Sequence, residues 1–250
     1  MLAVERKNKI REIVTHNKSG TVLELARRFS VSEETIRRDL KQLEEEGLLV
    51  RTYGGAYVRD SAQNEVTAEF RENIYVESKK LIAKKCAKLI SNGDSIFLDS
   101  STTALYICDN IQDKSVTLIT NSLKILNKCS TNKNIQLFAI GGAFSYNTMS
   151  FNGRNACKML QQYHVDKAFI SCENLDLEHG LTDSSERQAD IRETAINHGT
   201  NIYLIADYTK FGKTSFVKIS DLSALTGIIV DKPLSSEWNE ALNKLNITLY

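Results

Sequence analysis

The stretch SVSEETIRRDL, Ser30 to Leu40, sets two arginines side by side among acids. An arginine offers a planar fork of donors that matches guanine O6 and N7 or phosphate oxygens. Exposed near the start of a helix, Arg37 and Arg38 are therefore candidates for reading duplex DNA. A second set of residues suits a small anion. DSSTT, Asp99 to Thr103, carries four hydroxyls behind a carboxylate: Ser100, Ser101, Thr102 and Thr103. If this loop opens a helix, its unpartnered backbone N–H groups suit a phosphate, and Asp99 can hold a sugar hydroxyl. TNS, Thr120 to Ser122, repeats the arrangement with Asn121 and Ser122. IGG, Ile140 to Gly142, supplies Gly141 and Gly142, where a missing Cβ lets a ligand approach the backbone. ADYTKFGK supplies Asp207 and the cation Lys210, and GLTDSSE supplies Asp183. Asp99, Asp183 and Asp207 are also the carboxylates that an enzyme could use as bases.

Bulk properties narrow the class. The 250 residues carry a formal net charge of +1, so the distribution of charge and not its sum must identify a polyanion partner. No apolar run approaches the roughly 20 residues that span a bilayer, and the charged start MLAVERKNKIREIV has no signal-peptide core. The reading is a cytoplasmic chain without a membrane partner. Its five cysteines are odd in number and widely spaced. They form no CxxC or Cys/His cluster, so reduced, mostly buried thiols are expected, with no disulfide framework, metal or cofactor.

The arginines need a scaffold. Ile10, Ile13 and Val14 recur at helical spacing over Glu5–His16, and NKSG stops that helix. Thr21 reads as the N-cap of a second helix, VLELARRFS, with Val22, Leu25, Ala26 and Phe29 inward. Ser32 reads as the N-cap of a third, whose stripe of Ile36, Leu40 and Leu43 fixes the core face. Glu34, Arg38, Lys41 and Gln42 fall opposite, with Thr35 and Arg37 on the flanks. Gly47 ends this helix. LLVRTYGGAYV, Leu48 to Val58, reads as two strands around Gly54-Gly55. A plainer alternative leaves Arg38 as a surface residue paired with Glu34 one turn away.

The segment TVLELARRFSVSEETIRRDLKQLEEEGLLVRTYGGAYV resembles the winged helix-turn-helix of DeoR/GlpR-type bacterial transcription regulators. The Leu25-Ala26 pair, Val31 to Leu40, Gly47, and Arg51 with Gly54-Gly55 carry the likeness. The resemblance implies that operator DNA is the partner. The residues expected to touch it are Ser32, Glu34, Thr35, Arg37, Arg38 and Lys41 on the third helix, and Arg51, Tyr53, Gly54 and Gly55 on the wing. The acids beside them would weaken attraction to nonspecific DNA.

The remaining chain alternates strands and helices. Strands are expected at Ser95–Asp99, Val116–Thr120, Ile135–Ile140, Lys167–Ser171, Ile202–Asp207 and Leu225–Asp231. Helices are expected at Arg71–Ser91, Thr103–Asn110, Ser122–Cys129, Glu186–His198 and Glu237–Leu245. In the first of these, lysines should face out and Leu81, Ile82, Ala87, Leu89 and Ile90 in. Short apolar strands between helices predict an open, mostly parallel α/β sheet, and ligands of such sheets sit beyond the strands' carboxyl ends. The predicted order is thus a winged helix-turn-helix domain over 1–58, a polar linker over 59–70 and an α/β domain over 71–250. IFLDSSTT, LITNS, AIGGAF, DKAFIS, GLTDSSE and LIADYTKFG resemble the DeoR-type sensor domain. That resemblance implies the ribose-phosphate isomerase and coenzyme A transferase type of fold. It also implies a phosphorylated sugar as effector and repression of a carbohydrate operon. Two positions depart from the family pattern. A serine replaces the glycine common after the loop aspartate, and Glu173 stands where a neutral residue is common; a solvated Glu173 is the favoured reading.

The alternative is a DNA-tethered sugar-phosphate isomerase-like enzyme. No G-x-x-x-x-G-K-[ST] loop exists, and the four histidines form no nucleophile set. A single winged helix reads few base pairs, so a homodimer or homotetramer is expected.

Overall fold

The structure, a computed structural model, describes every residue except Met1, Lys18, Gly47, Tyr53 and 58–67, and no side chain at 15, 16, 69 or 70. The chain forms two compact units, Met1–Val76 and Glu77–Tyr250.

The first unit contains α1 (Ala3–Asn17), β1 (Ser19–Thr21), α2 (Val22–Phe29), α3 (Glu33–Glu45), β2 (Val50–Thr52), β3 (Gly55–Tyr57) and α4 (Ala68–Glu72). The helices begin where the caps predict: Thr21 Oγ1 accepts from Glu24 N at 3.1 Å and Ser32 Oγ from Thr35 N at 3.2 Å. Ser30 adopts the left-handed conformation, φ 53°, and its N–H reaches back to the α2 carbonyls. That closes the short turn into α3. Ile10, Val14, Val22, Leu25, Ala26, Ile36, Leu40 and Leu43 meet Leu49 and Ala56 in one core. Phe29 is only partly buried at its edge. The sheet has three strands, not two, in the order β1-β3-β2. The NKSG stop itself supplies β1, with Ser19 opposite Tyr57 and Thr21 opposite Gly55.

The linker expectation needs correction at its end. Most of 59–70 lies outside the described residues, as do the expected helix stop at Gly47 and the hairpin's end at Val58. Ala68 to Phe70 are helical and open α4. The single helix expected over Arg71–Ser91 is also interrupted. The backbone turns at Tyr75, φ 52°, and α5 (Val76–Leu89) starts afresh. Its buried stripe runs Lys79, Ile82, Ala83, Cys86, Ala87, a 3-4 spacing that leaves Leu81 exposed and draws Lys79 in, against the expectation for both.

After α5 the second unit continues with β4 (Ser95–Leu98), α6 (Thr102–Ile107), β5 (Val116–Thr120), α7 (Leu123–Cys129) and β6 (Ile135–Ala139). Then come β7 (Ala143–Ser145), β8 (Ser150–Asn152), α8 (Arg154–Leu160), β9 (Val165–Ile170), β10 (Asn174–Asp176), β11 (Gly180–Asp183) and α9 (Glu186–Asn197). The chain ends with β12 (Gly199–Ile205), β13 (Val217–Ser220), β14 (Gly227–Ile229), α10 (Ser236–Lys244) and β15 (Thr248–Leu249). Seven strands form one parallel sheet in the order β15-β14-β12-β9-β4-β5-β6. Successive side chains of a strand point to opposite faces. Phe97, Ile119, Ala168 and Leu204 therefore pack with α8, α9 and α10, while Ile96, Leu98, Leu118 and Phe169 pack with α5, α6 and α7. The sheet is covered on both faces, as its near-continuous apolar strands require. The hairpin β7–β8 and the antiparallel sheet β10-β11-β13 complete the unit. Those short strands, with β15, went unpredicted, because two to four residues give no usable period. All five cysteines are free, four of them buried. Among the described residues no helix is long and apolar enough to cross a membrane.

Candidate functional site

In the first unit the adjacent arginines divide their labour. Arg37 Nη2 lies 2.8 Å from Glu33 Oε2, and Nη1 lies 4.0 Å from Glu34 Oε2. The neighbouring acids thus hold Arg37 along the helix surface. Arg38 is exposed and has no carboxylate partner among the described residues. The alternative pairing of Arg38 with Glu34 is not formed. Lys41 is paired loosely with Glu45, 3.9 Å away, and stays exposed. Ser32 and Thr35 are joined hydroxyl to hydroxyl at 2.9 Å, and Ser32 also caps α3.

Arg51 is not a freely projecting side chain. Its backbone N–H donates to Glu44 Oε1 at 2.8 Å and its Nε to Oε2 at 2.7 Å. These bonds tie the start of β2 to the end of α3 and hold the Glu44 carboxyl below its usual range, chiefly through the Arg51 side-chain hydrogen bond. Gly54 has a packing reason: a Cβ there would meet Ile74 Cγ2 at 2.9 Å. Gly55 begins β3, and Tyr53 lies outside the described residues.

Sequence reasoning missed the role of Asp39. Its carboxylate is buried and receives Arg6 Nε at 2.6 Å and Nη2 at 3.2 Å, a two-pronged pair between α1 and α3. The hydrogen bond to Asp39 raises the Arg6 pKa further. The signal was present. Asp39 falls three residues after Ile36, on the buried stripe, and a carboxylate at a core position requires a cation.

In the second unit the chain starts at central β4, runs outward to β6, then crosses back to β9 on the other side of β4. The carboxyl ends of β4 and β9 thus flank the topological switch point, where open α/β sheets place their ligands. Asp99 follows β4 and Ser171 follows β9. Asp99 Oδ2 accepts from Ser171 N at 2.8 Å, Ser171 Oγ at 2.7 Å and Arg192 Nε at 3.0 Å, and Oδ1 from Ser101 N at 3.0 Å. Arg192, on α9, donates its Nη1 to Asp183 Oδ2. Asp99, Arg192 and Asp183 are all buried. Burial opposes the charge on Asp99, but the guanidinium and the serine donors outweigh it and leave its pKa below the ordinary carboxylate value. Burial likewise opposes the charge on Arg192, yet the two aspartates raise its pKa. Arg192 was not anticipated. It is four residues after Gln188 on the inward face of α9, a position that could have flagged it.

Other expected residues gather around this triad. Burial pushes the Cys172 thiol up to about 12, with Lys210 and Arg192 pulling it down and Asp183 and Asp207 pushing it up. All four charged groups thus act on Cys172, the residue after Ser171. Asp207 is buried and accepts from Thr209 N at 2.9 Å, capping a one-turn helix that carries half-buried Lys210. Ser101 caps α6 and Ser122 caps α7; Thr102 and Thr103 are buried in the first turn of α6. Ser100 donates its hydroxyl to Gln188 Oε1 at 3.1 Å. Gln188 Nε2 donates to Ser150 Oγ at 3.3 Å, which also receives Asn152 Nδ2 at 3.0 Å. Asn121 Nδ2 donates to Phe151 O at 2.9 Å and to Asn152 Oδ1 at 3.4 Å. A buried polar chain thus runs from the β4 loop through α9 and β8 to the end of β5.

Of the two glycines, Gly142 has a packing reason of its own. A Cβ on Gly142, φ 151°, would lie 2.7 Å from Asn152 O and 2.9 Å from Ala156 Cβ, so Gly142 lets β7–β8 and α8 close on themselves. Gly141 has open space around its Cβ position. Glu173 is exposed and accepts only from Ser215 Oγ, 3.2 Å away, among the bonds found for it.

The chain matches the family model for the DeoR-like helix-turn-helix domain over residues 6–62 and the model for the DeoR C terminal sensor domain over 74–232. It is 40% identical to the uncharacterized HTH-type transcriptional regulator YulB of Bacillus subtilis, covering 99% of this chain and 97% of that protein. It is 32% identical to the L-fucose operon activator of Haemophilus influenzae, covering 88% of this chain and 89% of that protein. Among solved structures, ribose 5-phosphate isomerase from Plasmodium falciparum overlaps 54% of this chain and 52% of its own with a TM-score of 0.40 and 17% identity. On the two domain matches and the full-length relative, this chain belongs to the DeoR family of helix-turn-helix transcriptional regulators.

Proposed function

We propose that this regulator is a cytoplasmic, homo-oligomeric repressor of a carbohydrate-utilisation operon, released from its operator by a phosphorylated sugar. The observation that carries the DNA-reading part is the exposed Arg38, without a carboxylate partner among the described residues, beside a committed Arg37. Ser32, Glu34, Thr35, Arg37, Lys41, Arg51, Gly54 and Gly55 would position or support it, and Tyr53 remains a candidate on sequence alone. Arg38→Ala is expected to weaken operator binding by about 1–3 kcal/mol and relax specificity at one base pair. Titration of operator DNA by fluorescence anisotropy checks this, and equal affinity for wild type and variant rejects the docking mode.

The effector reading rests on Asp99 to Thr103, Asn121, Ser122, Asp207 and Lys210, which follow carboxyl ends of strands in the parallel sheet, and on Asp183, joined to Asp99 through Arg192. Gly141 and Gly142 end β6 on the same edge of the sheet. A sugar operon is what the L-fucose relative's name gives for that protein. A phosphorylated sugar at 100 times its Kd should stabilise the second unit by about 2.7 kcal/mol, and the unphosphorylated parent should not. Valine at both Thr102 and Thr103 should remove the shift and leave operator binding intact. Equal stabilisation by neutral sugars would refute the phosphate assignment. A reporter strain gives the sign at the operon. Transcription should rise on deletion, and a fall would make the protein an activator, as that relative is.

An isomerase-like enzyme is the second reading. It is disfavoured because Asp99 already holds Arg192, and a carboxylate kept ionised by a guanidinium is a weak base. Incubation with aldose and ketose phosphates should give binding without turnover.

A further inference from the structure

We propose that Asn121 reads a hydroxyl group of the effector: its Oδ1 accepts a hydrogen bond from one hydroxyl of the phosphorylated sugar. The proposal rests on the sugar-phosphate reading above and adds the atom that chooses among such sugars. Asn121 is fully buried, and its Oδ1 has no hydrogen-bond partner among the described residues. The amide orientation is fixed by its neighbours. The NH2 group faces two acceptors, Phe151 O and Asn152 Oδ1, so turning the amide over would set oxygen against oxygen. What remains is an acceptor in want of a donor, and buried polar atoms rarely stay unpaired.

The position of this acceptor favours a ligand hydroxyl. Asn121 directly follows β5, the neighbour of β4 in the sheet, and so lies at the carboxyl edge where the switch-point loop Asp99–Ser101 also lies. Nearby side-chain groups are already spoken for. Asn152 Nδ2 is given to Ser150, Gln188 Nε2 to Ser150 and the Ser100 hydroxyl to Gln188. The Asn121 backbone carbonyl is held by Phe151 N at 2.9 Å. The described residues thus withhold their donors from Oδ1 while pinning that oxygen in place. A sugar hydroxyl supplies the missing donor, and a sugar lacking that hydroxyl leaves the oxygen unpaired, which is how a polar site rejects a deoxy analogue.

The test uses the full chain and a panel of aldose and ketose phosphates, each beside its monodeoxy analogues, with binding measured by calorimetry. One deoxygenated position should weaken binding to wild type about 10- to 100-fold. In Asn121→Ala the parent should lose a similar factor and the matching analogue almost none, so that the variant binds the two alike. A merely structural role would weaken parent and analogue equally, and that result overturns the proposal, as does a hydroxyl preference that persists in the variant. Asn121→Ser serves as the second variant, with folding of both followed by fluorescence at Trp238. If neither folds, the wild-type panel decides alone, and a panel without one dominant hydroxyl overturns the proposal. If no panel member binds wild type, the sugar-phosphate reading itself fails.

Discussion

Arg192→Ala is expected to destabilise the second unit by about 3–5 kcal/mol, because it leaves Asp99 and Asp183 buried with no countercharge. Trp238 is the only tryptophan and sits in the core on the α9 face of the sheet, so its fluorescence reports this unit alone. With a urea dependence of about 1–3 kcal/mol per molar, the unfolding midpoint should fall by 1 M or more. The pH dependence should change sign. In wild type the folded pKa of Asp99 lies below its unfolded value. Its contribution is therefore full above the unfolded value of about 3.9 and is lost as pH falls through the depressed folded pKa. Without Arg192, burial dominates and the folded pKa rises above the unfolded one. The variant should then gain stability as pH drops toward about 4, where wild type is flat. Removing all three charges together, in D99N/D183N/R192L, should recover much of the loss. An unchanged midpoint in Arg192→Ala would show that the triad carries no net stabilisation.

Arg6→Ala should cost the first unit about 3–5 kcal/mol, since Asp39 would remain on the core face of α3 with no cation. The pair is well shielded, the Arg6 and Asp39 side chains being 12% and 5% exposed. A unit of 76 residues has a total stability of only about 4–11 kcal/mol. The variant should therefore lose operator affinity by populating unfolded winged domain, although Arg6 is not proposed to touch DNA. An excluded osmolyte such as sucrose separates the two causes, because it favours the compact state. It should restore operator binding to Arg6→Ala and leave the deficit of Arg38→Ala in place. Full operator affinity in Arg6→Ala, measured without osmolyte, would refute the structural role of the pair.

Much of this architecture follows from local pattern. The stripe Ile36, Leu40, Leu43 fixed which face of α3 is buried, and hence that Arg38 points outward. Thr21 and Ser32 marked helix starts, because a side-chain oxygen at that position satisfies an orphan N–H whatever the rest of the chain does. Six of the seven strands of the parallel sheet were visible as apolar runs between helices, and loops at their carboxyl ends stood out by their hydroxyls. These are properties of a few neighbouring residues, and hydrophobic period and capping act over that range.

Other features depend on groups far apart in sequence. Adjacent arginines look equivalent in a string of letters, and Glu34 stands one turn from both, but the structure turns it toward Arg37 and leaves Arg38 with no carboxylate partner among the described residues. Asp39 finds its partner 33 positions away and Asp99 finds Arg192 at a separation of 93. Gly142 has a packing reason for its missing side chain, a hairpin that returns upon it. Asn121 has its amide oriented by the strand β8, which takes the NH2 group and leaves Oδ1 without a partner among the described residues. The sequence by itself determined the longer helices and strands, most of their buried faces and the family. Tertiary structure alone decided which charges neutralise each other and which polar atoms stay free. A buried charge or acceptor is balanced by whatever the fold brings within about 3 Å of it, and no local period encodes that distance.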